Sequence, residues 1–311
     1  MSHVYDVAVV GAGPAGLSAA LNLVRARRRV LLIDSNRPRN SATLLSHGFL
    51  TRDGISPLEL RKLGREEFLG YEGAEHRQTL ATAIRTTEGG FEIDCEFRGA
   101  ASSATARVVL VSTGLHETLP DIGSLRAFYG TYVHSCIECD AWGKRDQPIA
   151  VIGEHPDLAE RALLLSQWSD DVIAFTHGAD IVTADEETRL ASRGIRVERR
   201  RVAAIQGDRE GMHGVELADG EVVARTAGFV RPTWSGALEY VAPTGAELDA
   251  DGLLVVDDHG RTSVQGLYAA GESTAPGPQQ LIVAAGSGAR VAATINRDLV
   301  GGVEHLGDAV Q

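Results

Sequence analysis

Two cysteines separated by two residues could perform redox chemistry. Cys136 and Cys139 stand in the run Cys136-Ile137-Glu138-Cys139, a spacing typical of redox pairs and of metal-ligand pairs in intracellular proteins. A tetrahedral zinc site needs four ligands, and the sequence has no second C-x-x-C and no H-x-x-x-H. We therefore expect no metal, and we expect the pair to exchange between thiol and disulfide.

Two side chains next to this pair could move a proton to or from a thiol. Asp140 follows Cys139 directly, and His134 lies two residues before Cys136. A histidine titrates close to neutral pH and suits a base for a thiol whose ordinary pKa is about 8.5. The sequence leaves open which of the two acts, and His134 could equally be an ordinary histidine at the end of a strand.

A glycine-rich turn near the amino terminus predicts a dinucleotide-binding site. Residues 11–16 read Gly-Ala-Gly-Pro-Ala-Gly. In such a turn Gly11 permits the tight bend, Gly13 lets the backbone approach a pyrophosphate, and Gly16 lets the following helix pack on the strand. The N-terminus of that helix then directs unpaired N–H groups at the phosphates.

The elements around the turn support this interpretation. Val4–Val10 reads as a strand, an apolar-periodic helix follows the glycines as far as Arg29, and Val30–Asp34 reads as a second strand. Asp34 therefore ends the second strand about 20 residues after the first glycine, where a carboxylate accepts hydrogen bonds from ribose hydroxyls. The segment is predicted to be a βαβ unit.

A second βαβ pattern lies in the middle of the chain, with a helix over residues 158–168 and a strand over residues 171–175. Its turn departs from the glycine pattern, because His155 stands where close approach to a phosphate requires glycine. Glu154 adds negative charge beside the same position. Residues 176–180, which follow the strand, include no arginine to hold a 2′-phosphate. We expect the architecture of a nucleotide domain without its chemistry.

Two further segments are predicted to belong to the first domain. A strand over residues 107–111 ends in Ser112-Thr113-Gly114. In the last quarter of the chain, residues 266–272 read as a short buried strand that ends in an acid, and residues 279–300 read as a helix rich in small side chains. Small residues permit close packing of the backbone.

Length and charge limit the kinds of partner. The chain has 311 residues, which favours two domains, and a formal net charge of −12 that would repel nucleic acid and anionic lipid. No apolar run approaches the roughly 20 residues that cross a bilayer, and no signal-peptide pattern opens the sequence. We expect a cytoplasmic protein without nucleic-acid or membrane partners. Cys95, on the apolar face of an alternating strand over residues 91–97, is expected to be an inert core thiol.

These motifs, in their order along the chain, resemble the low-molecular-weight thioredoxin reductase family over nearly the whole sequence. The resemblance rests on residues 11–16, Asp34, residues 112–114, residues 136–140 and residues 266–272. It implies an α/β fold with two Rossmann-like nucleotide-binding domains in a homodimer. By this resemblance residues 1–116 and 242–311 form a discontinuous FAD domain, and residues 117–241 form a degenerate NADPH-type domain that carries the C-x-x-C.

The resemblance also implies roles for individual residues. Cys136 would be the exposed sulfur that meets the substrate, Cys139 the inner sulfur that faces the flavin, and Asp140 the acidic residue of the family. Glu272 replaces a more usual aspartate, and its longer side chain should still reach a ribityl hydroxyl. The residues expected to bind FAD are Gly11, Gly13, Pro14, Ala15, Gly16, Asp34, Arg39, Asn40, His47, Thr113, Gly114, Gly271, Glu272, Gln280 and Leu281.

The altered second turn points to one branch of this family. A C-x-x-C combined with a damaged pyridine-nucleotide site looks like the dithiol oxidases that close the disulfide of holomycin or gliotoxin. Those enzymes pass electrons from a small-molecule dithiol to FAD and then to oxygen, which gives peroxide. Two alternatives remain open: a thioredoxin-disulfide reductase supplied by NADPH or ferredoxin, and a non-enzymatic flavoprotein that senses redox state.

Overall fold

The chain forms two compact units in a computed structural model that describes residues 4–275 and 277–301. The first unit comprises the residues up to Arg39, Gly48–His116, and the chain from Ser235 onward. The second comprises Asn40–His47 and Glu117–Trp234. A discontinuous first unit therefore encloses a second unit in the sequence.

In the part of the chain that the structure describes, the strands and helices follow one another without long irregular segments outside residues 35–56 and 245–266. In chain order they are β1 (Val4–Val10), α1 (Pro14–Arg25), β2 (Val30–Asp34), α2 (Pro57–Leu69), β3 (Ala74–Gln78), β4 (Leu80–Thr87), β5 (Gly90–Phe97), β6 (Ala100–Val111), β7 (Leu115–Thr118), α3 (Leu125–Phe128), β8 (Val133–His134), α4 (Ile137–Asp140), β9 (Ile149–Ile152), α5 (Leu158–Leu165), β10 (Val172–Phe175), α6 (Ala184–Ala191), β11 (Arg196–Glu198), β12 (Val202–Gly207), β13 (Met212–Leu217), β14 (Val222–Ala224), β15 (Ala227–Val230), β16 (Thr233–Gly236), β17 (Leu267–Ala269) and α7 (Leu281–Val300). Short 3₁₀ helices cover Arg39–Ala42, Ala141–Lys144, Glu239–Thr244 and Gly271–Ser273.

The main sheet of the first unit has the order β3-β2-β1-β6-β5-β4, with β17 also paired to β6. Strands β3, β2, β1, β6 and β17 are parallel, whereas β4, β5 and β6 form an antiparallel meander. The carboxyl ends of parallel strands meet at one edge of a sheet, and ligands of α/β proteins bind there. This edge carries the segments that follow β1, β2, β6 and β17.

Side chains of β1 alternate between the two faces of this sheet, as the two-residue period of a strand requires. Val7 packs on one face with Leu23 of α1 and Ile295 of α7, while Ala8 packs on the other face with Ile84 of β4. All of these side chains are fully buried. Burial of one large aliphatic side chain contributes about 1.5–3 kcal/mol, so both faces stabilise the sheet.

The second unit is built on a parallel sheet with the order β11-β10-β9-β15-β8, and β12, β13 and β14 form a small antiparallel sheet. The βαβ segment β9-α5-β10 lies at the centre of the parallel sheet. Both units therefore have the α/β Rossmann-like architecture predicted from the sequence.

The boundaries of the units differ from the sequence-based ones. The chain returns to the first unit at Ser235 rather than at residue 242, because Leu238, Tyr240 and Val241 pack in the same core cluster as β4 and β5. The segment Asn40–His47 groups with the second unit instead of the first. The apolar pattern of these segments indicates burial without indicating which core they join.

Three helices are shorter than predicted. Helix α1 ends at Arg25 rather than Arg29, because Arg27 adopts a left-handed backbone conformation with φ of 64°. Helix α5 ends at Leu165 rather than at residue 168, and α7 begins at Leu281 rather than at residue 279.

Candidate active site

The cysteine pair lies directly after β8, a strand at the end of the parallel sheet of the second unit. Cys136 precedes the first residue of α4, and its Sγ accepts a hydrogen bond from the backbone N–H of Cys139 at 3.2 Å. The two cysteines form a disulfide with their Cα atoms 5.3 Å apart. Ile137 between them is 2% exposed and packs in the core with Phe229, which anchors the turn. Both cysteines are half-buried.

His134 and Asp140, which flank the two cysteines in the sequence, lie close to each other in the structure. Nδ1 of His134 lies 3.3 Å from Oδ1 of Asp140. The other ring nitrogen, Nε2, lies 3.1 Å from the carbonyl oxygen of Thr131, and a carbonyl only accepts, so Nε2 carries a proton. Nδ1 of a neutral His134 is therefore a bare acceptor that faces Asp140. In its protonated state the pair shares one proton between Nδ1 and Oδ1. In its deprotonated, empty state neither atom carries a proton, and the pair can accept one.

Burial controls the titration of this His134–Asp140 pair. It lowers the pKa of His134 to about 4, with a further decrease from the positive charge of Lys144. Burial raises the pKa of Asp140 to about 6, although His47 and Lys144 oppose that increase. At neutral pH the histidine is uncharged and the carboxyl group titrates one unit away. The pair is therefore suited to take up a proton from a thiol.

Lys144 and Arg161 are functional candidates that the sequence reasoning missed. Lys144 Nζ donates to the carbonyl oxygen of Thr131 at 2.6 Å, the same oxygen that orients His134. Arg161 in α5 donates from Nη2 to the carbonyl oxygens of Ser135 and Val230 at 2.9 and 3.2 Å, and burial lowers its pKa. Arg161 thereby ties the residue before the cysteine pair to the end of β15. Neither residue lies in a sequence motif that indicates these contacts.

The glycine turn of the first unit connects β1 to α1. Gly11 has φ of 103°, which only glycine adopts readily, and a Cβ added at Gly16 would lie 1.8 Å from the Gly11 carbonyl oxygen. A Cβ added at Gly13 would meet no heavy atom within 4 Å, so the backbone there borders open space. The turn is thus closed on the side of the helix and open at Gly13.

Asp34 and Arg61 form a buried ion pair beside this turn. Arg61 Nη2 lies 2.7 Å from Oδ2 of Asp34, and the two residues are 6% and 8% exposed. Asp34 Oδ1 accepts from the backbone N–H of Ala12 at 3.3 Å, and Arg61 Nε donates to the Ala12 carbonyl oxygen at 3.2 Å. The sequence identified Asp34 but gave no indication of Arg61.

The segment after β6 lies at the same edge of the sheet. Thr113 Oγ1 donates to the carbonyl oxygen of Ala237 at 3.0 Å and lies 3.1 Å from the Tyr240 hydroxyl. The backbone N–H of Gly114 donates to Ser273 Oγ at 2.9 Å. The segments after β6 and β17 are therefore fixed to each other by hydrogen bonds.

Most of the residues expected to bind FAD lie at this edge of the first unit. Gln280 immediately precedes α7 and Leu281 begins it. The members in the first unit are Gly11, Gly13, Pro14, Ala15, Gly16, Asp34, Arg39, Thr113, Gly114, Gly271, Glu272, Gln280 and Leu281. Asn40 and His47 belong instead to the second unit, where the charge of His47 acts on Asp140.

Charged side chains lie at the turn between β9 and α5. Asp157 Oδ2 lies 3.1 Å from Arg231 Nη1, and Asp157 Oδ1 lies 3.0 Å from His155 Nδ1. Glu154 Oε1 lies 3.9 Å from His177 Nε2. Two carboxylates therefore stand at the turn where a pyrophosphate would bind. These residues do not fit a pyridine dinucleotide, because the carboxylates of Glu154 and Asp157 would repel its pyrophosphate.

Residues 5–288 match the family described as pyridine nucleotide-disulphide oxidoreductase, and the chain belongs to that family. Within it the chain is similar to thioredoxin reductases. A thioredoxin reductase from Treponema pallidum is 30% identical over 305 residues, which cover 93% of this chain and 95% of the relative. The protein is therefore an oxidoreductase that acts on sulfur.

Two solved structures share the fold over nearly their full length. HlmI is 38% identical with a TM-score of 0.88, and the alignment covers 96% of this chain and 94% of HlmI. An oxidoreductase from Agrobacterium tumefaciens is 31% identical with a TM-score of 0.87 and covers 96% of this chain and 99% of its own.

FAD is the cofactor of this family, and the first glycine turn fits it. The open space at Gly13 can receive a pyrophosphate, and α1 begins at Pro14 without an acidic residue in its first turn, so its N–H groups favour an anion. Asp34 ends β2 beside this turn. When bound, FAD supplies two-electron redox chemistry that the side chains lack.

In residues 4–275 and 277–301 no helix combines the length and apolar character needed to span a membrane. Within the same residues no group of three or more His, Cys, Asp or Glu side chains is arranged to hold a metal ion. Cys95 is a free, buried thiol whose pKa burial raises.

Proposed function

We propose that the protein oxidises a small-molecule dithiol to an intramolecular disulfide, with oxygen as electron acceptor and hydrogen peroxide as product. The observation that carries this proposal is a Cys136–Cys139 disulfide in a unit whose β9–α5 turn carries the carboxylates of Glu154 and Asp157. The disulfide can accept electrons from a dithiol, while the two carboxylates disfavour a pyridine nucleotide as the electron source.

The exchange proceeds through the two protein sulfurs. A substrate thiolate attacks one cysteine sulfur, the Cys136–Cys139 bond breaks, and a mixed disulfide forms. The second substrate thiol then displaces the protein sulfur, which leaves an oxidised substrate and a reduced cysteine pair. Two electrons and two protons have left the substrate. When bound, FAD would supply the two-electron chemistry that returns the cysteine pair to the disulfide at the expense of oxygen, so the full cycle would convert dithiol and oxygen into disulfide and peroxide.

His134 and Asp140 supply proton transfer for this exchange. The attacking group must be a thiolate, and an ordinary thiol with a pKa of about 8.5 is mostly protonated at neutral pH. The empty His134–Asp140 pair can accept the thiol proton, since Nδ1 and Oδ1 both lack one in that state. We assign the pair the role of general base, with Lys144 and the Thr131 carbonyl fixing the ring of His134.

A natural-product pathway of the holomycin or gliotoxin kind is the proposed setting. This part rests on the resemblance of the C-x-x-C and altered second turn to dithiol oxidases of such pathways. We also propose a homodimer on the basis of the same resemblance. Light scattering of the purified protein at working concentration should give twice the chain mass, and a monomer would contradict this proposal.

The function is tested by asking what reduces the bound flavin. The purified yellow protein is mixed anaerobically with NADPH and, in a separate sample, with dithiothreitol as the probe dithiol. We expect dithiothreitol to bleach the flavin within seconds and NADPH to leave it oxidised. In air, dithiothreitol should consume oxygen and release an equal amount of peroxide. Rapid bleaching by sub-millimolar NADPH without dithiol-dependent oxygen uptake would overturn the oxidase proposal.

A thioredoxin-disulfide reductase is the second candidate, and one feature of the second unit favours it. Arg201 follows β11 and its charge lies close enough to His177, after β10, to lower the pKa of that histidine in addition to the larger effect of burial. A cation at the carboxyl end of β10 is where a 2′-phosphate would be held. Reduction by NADPH that is lost in Arg201→Met would support this candidate. Any turnover of a dithiol in air excludes a purely redox-sensing flavoprotein.

A further inference from the structure

We propose that Arg61 is a positioning residue for the cofactor: it holds the Asp34 carboxylate and the first glycine turn in the arrangement that binds the adenosine ribose of FAD. The proposal concerns FAD binding, so it does not depend on which substrate the enzyme oxidises. Arg61 lies outside every motif identified in the sequence and reaches the turn from α2.

The geometry links three elements through one guanidinium group. Arg61 Nη2 donates to Asp34 Oδ2 at 2.7 Å, and Arg61 Nε donates to the Ala12 carbonyl oxygen at 3.2 Å. The Ala12 backbone N–H in turn donates to Asp34 Oδ1 at 3.3 Å. The end of β2, the glycine turn and α2 are therefore joined in a closed set of hydrogen bonds.

Because the Asp34–Arg61 pair is buried, each charge depends on its partner more than in a surface ion pair. Asp34 and Arg61 are 8% and 6% exposed, so each would be a poorly solvated charge without the other. A carboxylate offers about four acceptor positions, and the contacts with Ala12 and Arg61 use only one on each oxygen. Asp34 thus keeps acceptor positions for ribose hydroxyls, while Arg61 prevents its carboxylate from rotating away.

Arg61 is expected to act through Asp34 rather than through its own contact with FAD. Arg61 donates from Nε to the Ala12 carbonyl oxygen and from Nη2 to the Asp34 carboxylate. If the Asp34 carboxylate is removed, Arg61 no longer holds a group that contacts the ribose. The effects of the two substitutions should therefore not add, since residues in one hydrogen-bonded network are energetically coupled.

The test measures FAD affinity of the full-length apoprotein by quenching of flavin fluorescence. The variants are Arg61→Met, Asp34→Ala and the double variant, and Lys62→Met is the matched control because it removes an exposed positive charge from the next position of the same helix. We expect Arg61→Met to raise the dissociation constant about tenfold to hundredfold, as loss of a charged hydrogen bond does. In the Asp34→Ala background the same change should have less than a threefold effect.

A second ligand separates positioning from general damage to the fold. FAD whose adenosine ribose lacks both hydroxyls should bind wild type and Arg61→Met with similar affinity, because no hydroxyl remains for Asp34 to accept from. If Arg61→Met does not fold, as judged by circular dichroism, Arg61→Lys keeps the charge and should show a smaller loss with the same dependence on Asp34. Unchanged FAD affinity in the folded variant, or an equal loss in the Asp34→Ala background, would overturn the proposal.

Discussion

Glu272 and Arg39, 233 residues apart in the sequence, are joined by two hydrogen bonds: Arg39 Nη2 lies 2.9 Å from Oε1 and 2.8 Å from Oε2 of the carboxylate. Arg39 Nη1 also lies 3.3 Å from Gln279 Oε1. The sequence assigned both Glu272 and Arg39 to the FAD site. The ion pair fixes the longer side chain of Glu272 in place, which compensates for its departure from the more usual aspartate.

Replacement of Glu272 by glutamine should weaken FAD binding. The change keeps the side-chain size but removes the charge that holds Arg39, and the pair is 25% and 21% exposed. We expect a loss of about 0.5–1.5 kcal/mol, or roughly a threefold to tenfold higher dissociation constant. Fluorescence titration of the apoprotein measures it, and Glu247→Gln, an exposed carboxylate of the same unit, is the control. Equal affinities of Glu272→Gln and wild type would contradict the assignment.

Substitution of either active-site cysteine by serine should stop dithiol oxidation while FAD stays bound. Exchange requires both Cys136 and Cys139, whereas the glycine turn that holds FAD belongs to the other unit. Dithiol-dependent oxygen uptake should fall to the background rate of free FAD. Cys95→Ala, which changes the buried third cysteine, serves as the control and should retain activity. Substantial turnover by either serine variant would show that the pair is not the route for electrons.

The rate of flavin reduction by dithiol should rise as the pH increases through about 6. Asp140 has a pKa of about 6, and a general base must be unprotonated, so the active form accumulates above that pH. His134, with a pKa of about 4, stays uncharged throughout this range. Asp140→Asn should lose this increase and be about 10²-fold slower at pH 8. Anaerobic stopped-flow measurements from pH 5 to pH 8 check it.

If Asp140→Asn showed the same pH dependence of the flavin reduction rate as wild type, the assignment of Asp140 as part of the base would be contradicted. A further increase near the pKa of the substrate thiol is expected in both proteins, because it reports ionisation of the dithiol itself. The increase near pH 6 and the increase near the pKa of the substrate thiol can therefore be distinguished, because only the first should be lost in Asp140→Asn.

Two glycines of α7 should respond in opposite ways to alanine. A Cβ added at Gly288 would lie 2.0 Å from the Ala15 carbonyl oxygen, and backbone at that distance must move. Gly288→Ala should destabilise the protein by about 1–3 kcal/mol through overpacking. A Cβ at Gly286 would meet nothing within 4 Å, so Gly286→Ala should be neutral or stabilise by up to about 1 kcal/mol through helix propensity. Thermal unfolding compares them, and equal effects would refute the packing argument.

The parts of the fold that were predictable are those where chemistry restricts the residue type. The sequence predicts the turn at Gly11 and Gly16 and the Cys136–Cys139 pair, because few other residue types could adopt that turn or form that disulfide. The partner of Asp34 was not predictable, since Arg61 is brought to it by packing of α2 and no spacing rule connects them. The return of the chain at Ser235 was misplaced because apolar residues such as Leu238 show that they are buried, and the structure alone shows in which core.

The discontinuity of the first unit has a consequence during synthesis. Strand β17 completes the sheet beside β6, and α7 supplies Val291 and Ile295 to the core that covers β1. Both elements follow the second unit in the sequence, so a nascent chain on the ribosome leaves part of one face of β1 uncovered until they emerge. Chains fold from the amino terminus as they are made, and such a delay leaves apolar surface open to aggregation. Residues 117–234 are contiguous and precede these elements, so the carboxyl edge of the main sheet is completed only after they have been made.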